Sequence, residues 1–260
     1  MSEFELVTVE VDGYLGRLTM DRTPRNALNL ELQRELAEAA AWFNETDARV
    51  VILSGAGESF TVGADLSLLE GLYDDRTRLH LADADAGRVM GDAIASMRAL
   101  TIAQIHGHCI GGGIVIAVAC DLRVAAEGTI FSIPEAAIGI PLAWGGVPRL
   151  VREIGPAATK DLILTCRPFD AAEAAALGLV NRVVNPADLT MTVETLAAEI
   201  LQRPWSVIST TKTAVNIAAD ELVSTRHSED DAQLFLAAAD DPEAHAVGSA
   251  YLKKIRDKKS

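Results

Sequence analysis

Two glycine-rich turns and one carboxylate are the parts of this sequence best suited to chemistry. The first turn, SGAGESFTVGAD, follows the apolar run Val50 to Leu53; the second, HGHCIGGG, follows Thr101 to Ile105. Neither has the G-x-G-x-x-G or G-x-x-x-x-G-K-[ST] spacing of a nucleotide loop. Main-chain N–H groups at a helix N-terminus also hold a developing oxyanion, and two such turns side by side would offer two donors to one oxygen. Taken singly, each turn has a plainer role. Three glycines let a helix pack closely on a strand, and Asp65 caps or favours the first turn of the helix that follows it. The carboxylate is Glu135, in IPEAAI. By itself Pro134-Glu135 reads as the first turn of a short helix. Its neighbours Ile133, Ala136, Ala137 and Ile138 are apolar, an environment that raises a carboxyl pKa toward the roughly 6 to 7 useful to a base at neutral pH. His106 and His108 flank the second turn and read as hydrogen-bonded scaffolding.

These groups need a frame, and the hydrophobic pattern supplies one. LVTVEVDGYLGRLTM is two alternating runs joined at Asp12-Gly13, which predicts a type I′ hairpin. Leu28, Leu32, Leu36 and Phe43 recur at helical spacing, which predicts an amphipathic helix over 29–44. RVVILSG and TIAQIHG read as buried strands, each followed by a glycine turn and a helix-compatible segment. DLRVAAEGTIFSI supplies two short strands around Glu127-Gly128. Between the two glycine turns the chain is mostly helical, with Met90, Ile94 and Met97 on one face. Beyond Ala171 the strand signal nearly vanishes except in LVNRVV, and Pro204 marks a hinge into a helical C-terminal piece.

Composition narrows the partners. Of 260 residues, 37 are acidic and 23 basic, a net charge of −14, which disfavours nucleic acid or an anionic membrane surface. Apolar stretches are interrupted well before the roughly 18 residues of a membrane span, and the acidic, alternating N-terminus reads as a strand rather than a signal peptide. Cys109, Cys120 and Cys166 lack metal or redox spacing, so they read as reduced core residues of a cytoplasmic protein. The five histidines form no ligand pattern, and no metal is expected.

In order, RTPRNALN, SFTVGADL, IHGHCIGGGIVIAVACDLRVAAEGTIFSIPEAAIGI and GGVPRLVREIG resemble the crotonase superfamily, which contains enoyl-CoA hydratases and isomerases. The resemblance runs over nearly the whole chain. It implies an α/β fold, a crotonase-like spiral of strand-strand-helix repeats over 1–200 with a helical C-terminal trimerisation region over 201–260. The implied assembly is a homotrimer or a dimer of trimers. The implied ligand is an acyl-CoA thioester, with no cofactor because coenzyme A is part of the substrate. Its thioester oxygen would be held by the main-chain amides of Ala64 and Gly112.

Relatives that hydrate carry one glutamate three residues after the middle glycine and a second in a downstream PE pair. Those positions are Val115 and Glu135 here. A single carboxylate suffices to move a double bond from C3 to C2, because the proton taken from C2 is returned to C4, and a valine at 115 would keep water from the dienolate. The turn GIPLAWGG has Ala143 and Trp144 where other branches place an aspartate, which argues against dehalogenase and hydroxyacyl-CoA hydrolase activities. The resemblance further assigns Arg25, Ala27, Asp65, Leu66, Leu69, Val115, Trp144 and Lys253 to substrate binding, with Arg25 and Lys253 near the CoA phosphates. Ser67 departs from relatives that carry lysine after GAD. The expected reaction is isomerisation of 3-enoyl-CoA to 2-enoyl-CoA with Glu135 as sole proton carrier. The alternatives are an enoyl-CoA hydratase that recruits another polar group for water, and an acyl-CoA-binding protein without catalysis.

Overall fold

The computed structural model describes residues 4–73 and 79–259. The chain opens with strands β1 (Val7–Asp12) and β2 (Leu15–Met20), paired antiparallel with Asp12 opposite Leu15. Only Gly13 of the two linking residues has positive φ (58°), so the turn has the glycine-first pattern of type II′ and not the expected type I′. The second linking residue is Tyr14, whose ring lies 3.6 Å under the Arg49 guanidinium. Type I′ would have forced that bulky residue into the left-handed region.

Helix α1 (Leu30–Asn44) follows, capped by Asn29, whose side chain accepts from Leu32 N. It begins and ends within a residue of the sequence expectation because the cap and the apolar spacing point to the same boundary. Then β3 (Val50–Gly55) leads through the first glycine turn to α2 (Leu66–Tyr73) and α3 (Leu81–Ala95). Strands β4 (Leu100–Ile105) and β5 (His108–Ile110) lead through the second turn to α4 (Gly112–Ala119). Strands β6 (Leu122–Ala126) and β7 (Ile130–Ser132) lead to a 3-10 turn at Glu135–Ile138 and to α5 (Gly146–Thr165), which is interrupted at Gly155. The succession is strand, strand, helix three times over.

The opening hairpin and the first strands of the later units lie in one sheet of order β1-β2-β3-β4-β6-β9, where β9 is Arg182–Val184 and every pairing beyond the hairpin is parallel. The second strands of the later units, β5 and β7, form a smaller layer, β5-β7-β8, with β8 at Phe169–Asp170. A parallel bridge from Thr61 to Cys109 attaches the turn after β3 to that layer. Strands as short as β5 and β8 leave no periodic trace in the sequence. The predicted helical face of Met90, Ile94 and Met97 is fully buried in the main core.

Helices α6 (Ala171–Ala176) and α7 (Leu189–Leu201) complete the core, α7 covering the outer face of the large sheet through Val193, Leu196 and Ala197. Beyond Pro204 come α8 (Trp205–Leu222), α9 (Asp231–Asp240) and α10 (Pro242–Lys259). The last two fold back over the chain, where Leu252 is buried with Leu69, Leu72 and Ile138. None of the described helices is long and apolar enough to cross a membrane.

One ion pair fastens α8 to the sheet. Lys212 Nζ lies 2.7 Å from Asp121 Oδ2 and donates to Ala99 O at 2.8 Å, with the two side chains 7% and 16% exposed. Asp121 also accepts from the main-chain N and the hydroxyl of Thr101. Lys212→Met leaves that carboxylate buried with two of its donors, so unfolding in urea is expected to show a loss of about 3 kcal/mol, the low end for breaking a buried pair. A change below about 0.5 kcal/mol would mean that the junction is solvated.

Candidate active site

The segment RTPRNALN acts as the clamp that brings the first glycine turn into place. Asn26 is 1% exposed and its amide donates to the carbonyls of Ala56, Ser59 and Phe60 at 2.9, 2.9 and 3.2 Å, while its Oδ1 accepts from Arg22 N. Thr61 Oγ1 donates to Asn26 O and accepts from Gly63 N. Leu28 N donates to Gly63 O, and Asp65 N donates to Leu28 O. Ala64 sits between these two bonds, and its own N–H has no acceptor among the described residues.

The second turn is stitched to the first. Thr61 N donates to His108 O, Ile110 N to Thr61 O, and Gly111 N to Ser132 O. Gly112 is the first residue of α4, so its N–H points out of the helix end without an intrahelical acceptor. A Cβ on Gly63, where φ is 81°, would collide with Ile110 O and lie 3.5 Å from Gly112 N, which measures how closely the two bends approach. Ala64, Gly112 and Glu135 line one small cavity with Leu69 and Trp144.

Glu135 reaches this cavity from the 3-10 turn that follows β7. Gly111 lies directly beneath it: φ is 52°, and any Cβ there would occupy the position of Glu135 Oε1. The turn is braced by Tyr73, whose hydroxyl donates to Ile138 O at 2.7 Å. Glu135 Oε2 is buried with no hydrogen-bond partner among the described residues. Desolvation pushes the pKa up to about 7, against a smaller lowering from its own main-chain N–H.

Of the residues assigned from sequence, Ala64, Gly112, Glu135, Leu69 and Trp144 meet at the cavity. Asp65 works beside it. Burial would raise its pKa, but hydrogen bonds from Ser67 N and Oγ and the Arg22 guanidinium 2.8 Å away outweigh that and hold it low. Asp65 therefore caps the turn, with Ser67 as its local donor. Ala27 contributes its carbonyl to Arg22. Leu66 opens α2, and its side chain lies outside the described residues. Arg25 is half exposed and 3.6 Å from Glu58, and Lys253 is exposed on α10; both lie outside the cavity wall.

Val115 differs from the expectation that it shields the reacting carbons. It is fully buried and packs toward Gly91 and Gly146, one helical turn behind Gly112, so it belongs to the core and not to the cavity lining. His108 and His106 bond Ser59 Oγ and Gly57 O, which is scaffolding.

Sequence reasoning missed several wall residues. Asp83, in the first turn of α3, lines the cavity and pairs with Arg34 at 2.8 Å. Its position in a first helical turn looks like ordinary dipole preference. Phe235 reaches the cavity from α9, a contact that no local pattern announces. Asn26 and Arg22 lay inside a motif whose roles only the hydrogen bonds reveal. No group of three or more His, Cys, Asp or Glu side chains among the described residues is placed to hold a metal.

The spiral of strand-strand-helix units gathers two main-chain N–H groups and a buried acid around one cavity. The family described as enoyl-CoA hydratase/isomerase matches residues 11–257, and the chain belongs to that family, within the crotonase superfamily. A Mycobacterium tuberculosis protein named "Probable enoyl-CoA hydratase echA8" is 36% identical over 85% of each chain. The crotonyl-CoA hydratase of Syntrophomonas wolfei is 33% identical over 82% of each. Among solved structures, an enoyl-CoA hydratase from Bacillus halodurans superposes with a TM-score of 0.86 at 26% identity, covering 95% of this chain and 100% of that one.

The raised pKa of Glu135 has a consequence for stability. Below pH 4.5 the group is protonated in folded and unfolded chains alike; between 4.5 and about 7 only the unfolded chain ionises, so the fold loses stability as pH rises and levels off above 7. Glu135→Gln removes this dependence. Urea denaturation is expected to show the variant gaining on the wild type by about 3 kcal/mol between pH 4 and pH 8. A constant difference across that range would mean that the carboxyl is solvated.

Proposed function

We propose that the chain isomerises 3-enoyl-CoA to 2-enoyl-CoA, with Glu135 as its single proton carrier and without a cofactor. The observation that carries this reading is the buried, partnerless Oε2 of Glu135 in the same cavity as the free N–H groups of Ala64 and Gly112.

The thioester oxygen accepts hydrogen bonds from both N–H groups. The Glu135 carboxylate removes a proton from C2, and the C2–H electron pair moves into a dienolate whose charge rests on that oxygen. Protonated Glu135 then delivers the same proton to C4. The C3–C4 double bond becomes a C2–C3 double bond, and the thioester carbonyl is restored. Fixed main-chain dipoles are well suited to this because they are already aimed at the oxygen when charge develops there. A carboxyl with pKa about 7 exists in both required forms near neutrality.

Arg25 and Lys253 are proposed for the CoA phosphates, where their exposure suits a ligand that runs from the surface into the cavity. Helices α8–α10 are proposed as the contact region of a trimer or a dimer of trimers. The exposed apolar side chains of Val207, Val215, Ile217 and Leu222 support that role. A cytoplasmic setting is proposed on the three free cysteines, two of them buried thiols.

One observation favours a second reading. Asp83 places another carboxylate at the cavity wall, so water held there could add across 2-enoyl-CoA, as the hydratase names of the relatives suggest.

Supplying purified protein with 3-enoyl-CoA should raise the absorbance of the conjugated 2-enoyl thioester, and Glu135→Gln should slow this by about 10²–10⁴-fold. Asp83→Asn should leave that rate within about threefold. Rapid hydration of 2-enoyl-CoA, lost in Asp83→Asn, would replace isomerisation with the second reading. Tight acyl-CoA binding without turnover of either isomer would make the chain a binding protein.

A further inference from the structure

The cavity beside Glu135 is narrow, about 40 Å³, room for only a few water-sized groups. One residue accounts for much of that narrowness. The indole of Trp144 stands between the start of α4 and the middle of α3. A Cβ on Gly112 would strike the benzo edge of its ring at Cζ3, and a Cβ on Gly87 would strike the ring fusion at Cδ2 and Cε2. Two glycines on different helices thus make the slot that the ring fills. The ring also forms part of the wall of the cavity that Ala64, Gly112 and Glu135 line.

The backbone carrying Trp144 is held in an unusual conformation. Its φ is 62°, followed by 70° at Gly145, and an aromatic residue in the left-handed region needs support from its surroundings. Arg149, 5% exposed, supplies that support by donating to Gly145 O at 3.1 Å and Trp144 O at 3.4 Å. Its other terminal nitrogen is fixed 2.7 Å from Asp92 Oδ1. From the opposite side, Asp231 Oδ2 accepts from Gly145 N at 2.7 Å. Three elements, α3, α5 and α9, therefore fix one turn. A ring gripped this way is a wall and not a gate.

We infer that Trp144 sets the acyl-chain length of this site, restricting it to short acyl thioesters, and that Arg149 and Asp231 are the positioning residues that hold the indole in place. This rests on acyl-CoA binding at the cavity, as proposed above, but not on which reaction follows. A long chain would need the ring to leave its slot between Gly87 and Gly112, while Arg149 and Asp231 fix the main chain from which the ring projects.

The test uses the full chain and saturated thioesters, which bind without reacting. Dissociation constants for butyryl-CoA and decanoyl-CoA give a length ratio. The wild type is expected to gain little or nothing from the six extra methylenes. Trp144→Ala, with Trp144→Leu as the companion should the alanine variant fail to fold, should shift the ratio toward decanoyl-CoA by at least tenfold, since each newly buried methylene is worth about three- to fourfold. Arg149→Met should shift the ratio in the same direction and Arg149→Lys should restore part of it, a pattern that mere loss of stability does not produce. A wild type that already binds decanoyl-CoA at least tenfold more tightly, or folded Trp144 variants with an unchanged ratio, overturns the assignment while leaving Glu135 chemistry standing. Failure of the wild type to bind any acyl-CoA overturns both. Shifted ratios in a protein that turns over neither enoyl isomer would uphold Trp144 as the length determinant and remove only the reaction.

Discussion

The structure depends on keeping one carboxyl out of water without giving it a partner. Glu135 lies against the bare main chain of Gly111, with one oxygen buried and unbonded. An arrangement like this opposes folding whenever the group is charged, so the remainder of the chain must hold it rigidly. The β7 extension, the Tyr73 hydroxyl on Ile138 and the cover of α10 all converge on the short 3-10 turn that carries it.

The two main-chain donors are positioned by a different set of contacts. Asn26 satisfies three carbonyls of the first glycine turn at once, and Thr61 links that turn to β5. Neither residue touches the cavity, yet together they decide where the Ala64 N–H points. The sheet supplies a rigid origin, since β3 and β4 are adjacent and parallel and their successive turns emerge on the same side. Parallel pairing of consecutive units is thus what makes two separate N–H groups neighbours.

Much of this was legible in the sequence where local signals agree. The Leu28–Phe43 spacing gave α1 almost to the residue, and the resemblance pointed to Ala64 and Gly112, which line the same cavity. Glu135 was recognisable because the resemblance gave meaning to a proline-acid pair that would otherwise pass as a helix start. What stayed hidden depends on long-range packing. Val115 is buried because Gly91 and Gly146, from α3 and α5, pack against it, and Phe235 arrives from α9 more than a hundred residues after α4. The hairpin at Gly13 shows the same limit on a small scale. Asp-Gly marked a turn, but Tyr14 decided its type, and no dipeptide rule includes the arginine that stacks on it.

The folding back of α9 and α10 also sets an order of events during biosynthesis. A ribosome releases every strand of both sheets before it makes Phe235 or Leu252, so the layered core can assemble while the cleft is still open to solvent. In that unfinished state the cavity beside Glu135 lacks its Phe235 wall. Desolvation of the carboxyl is thereby deferred until the helical tail docks, when most of the cooperative packing already exists to absorb the penalty.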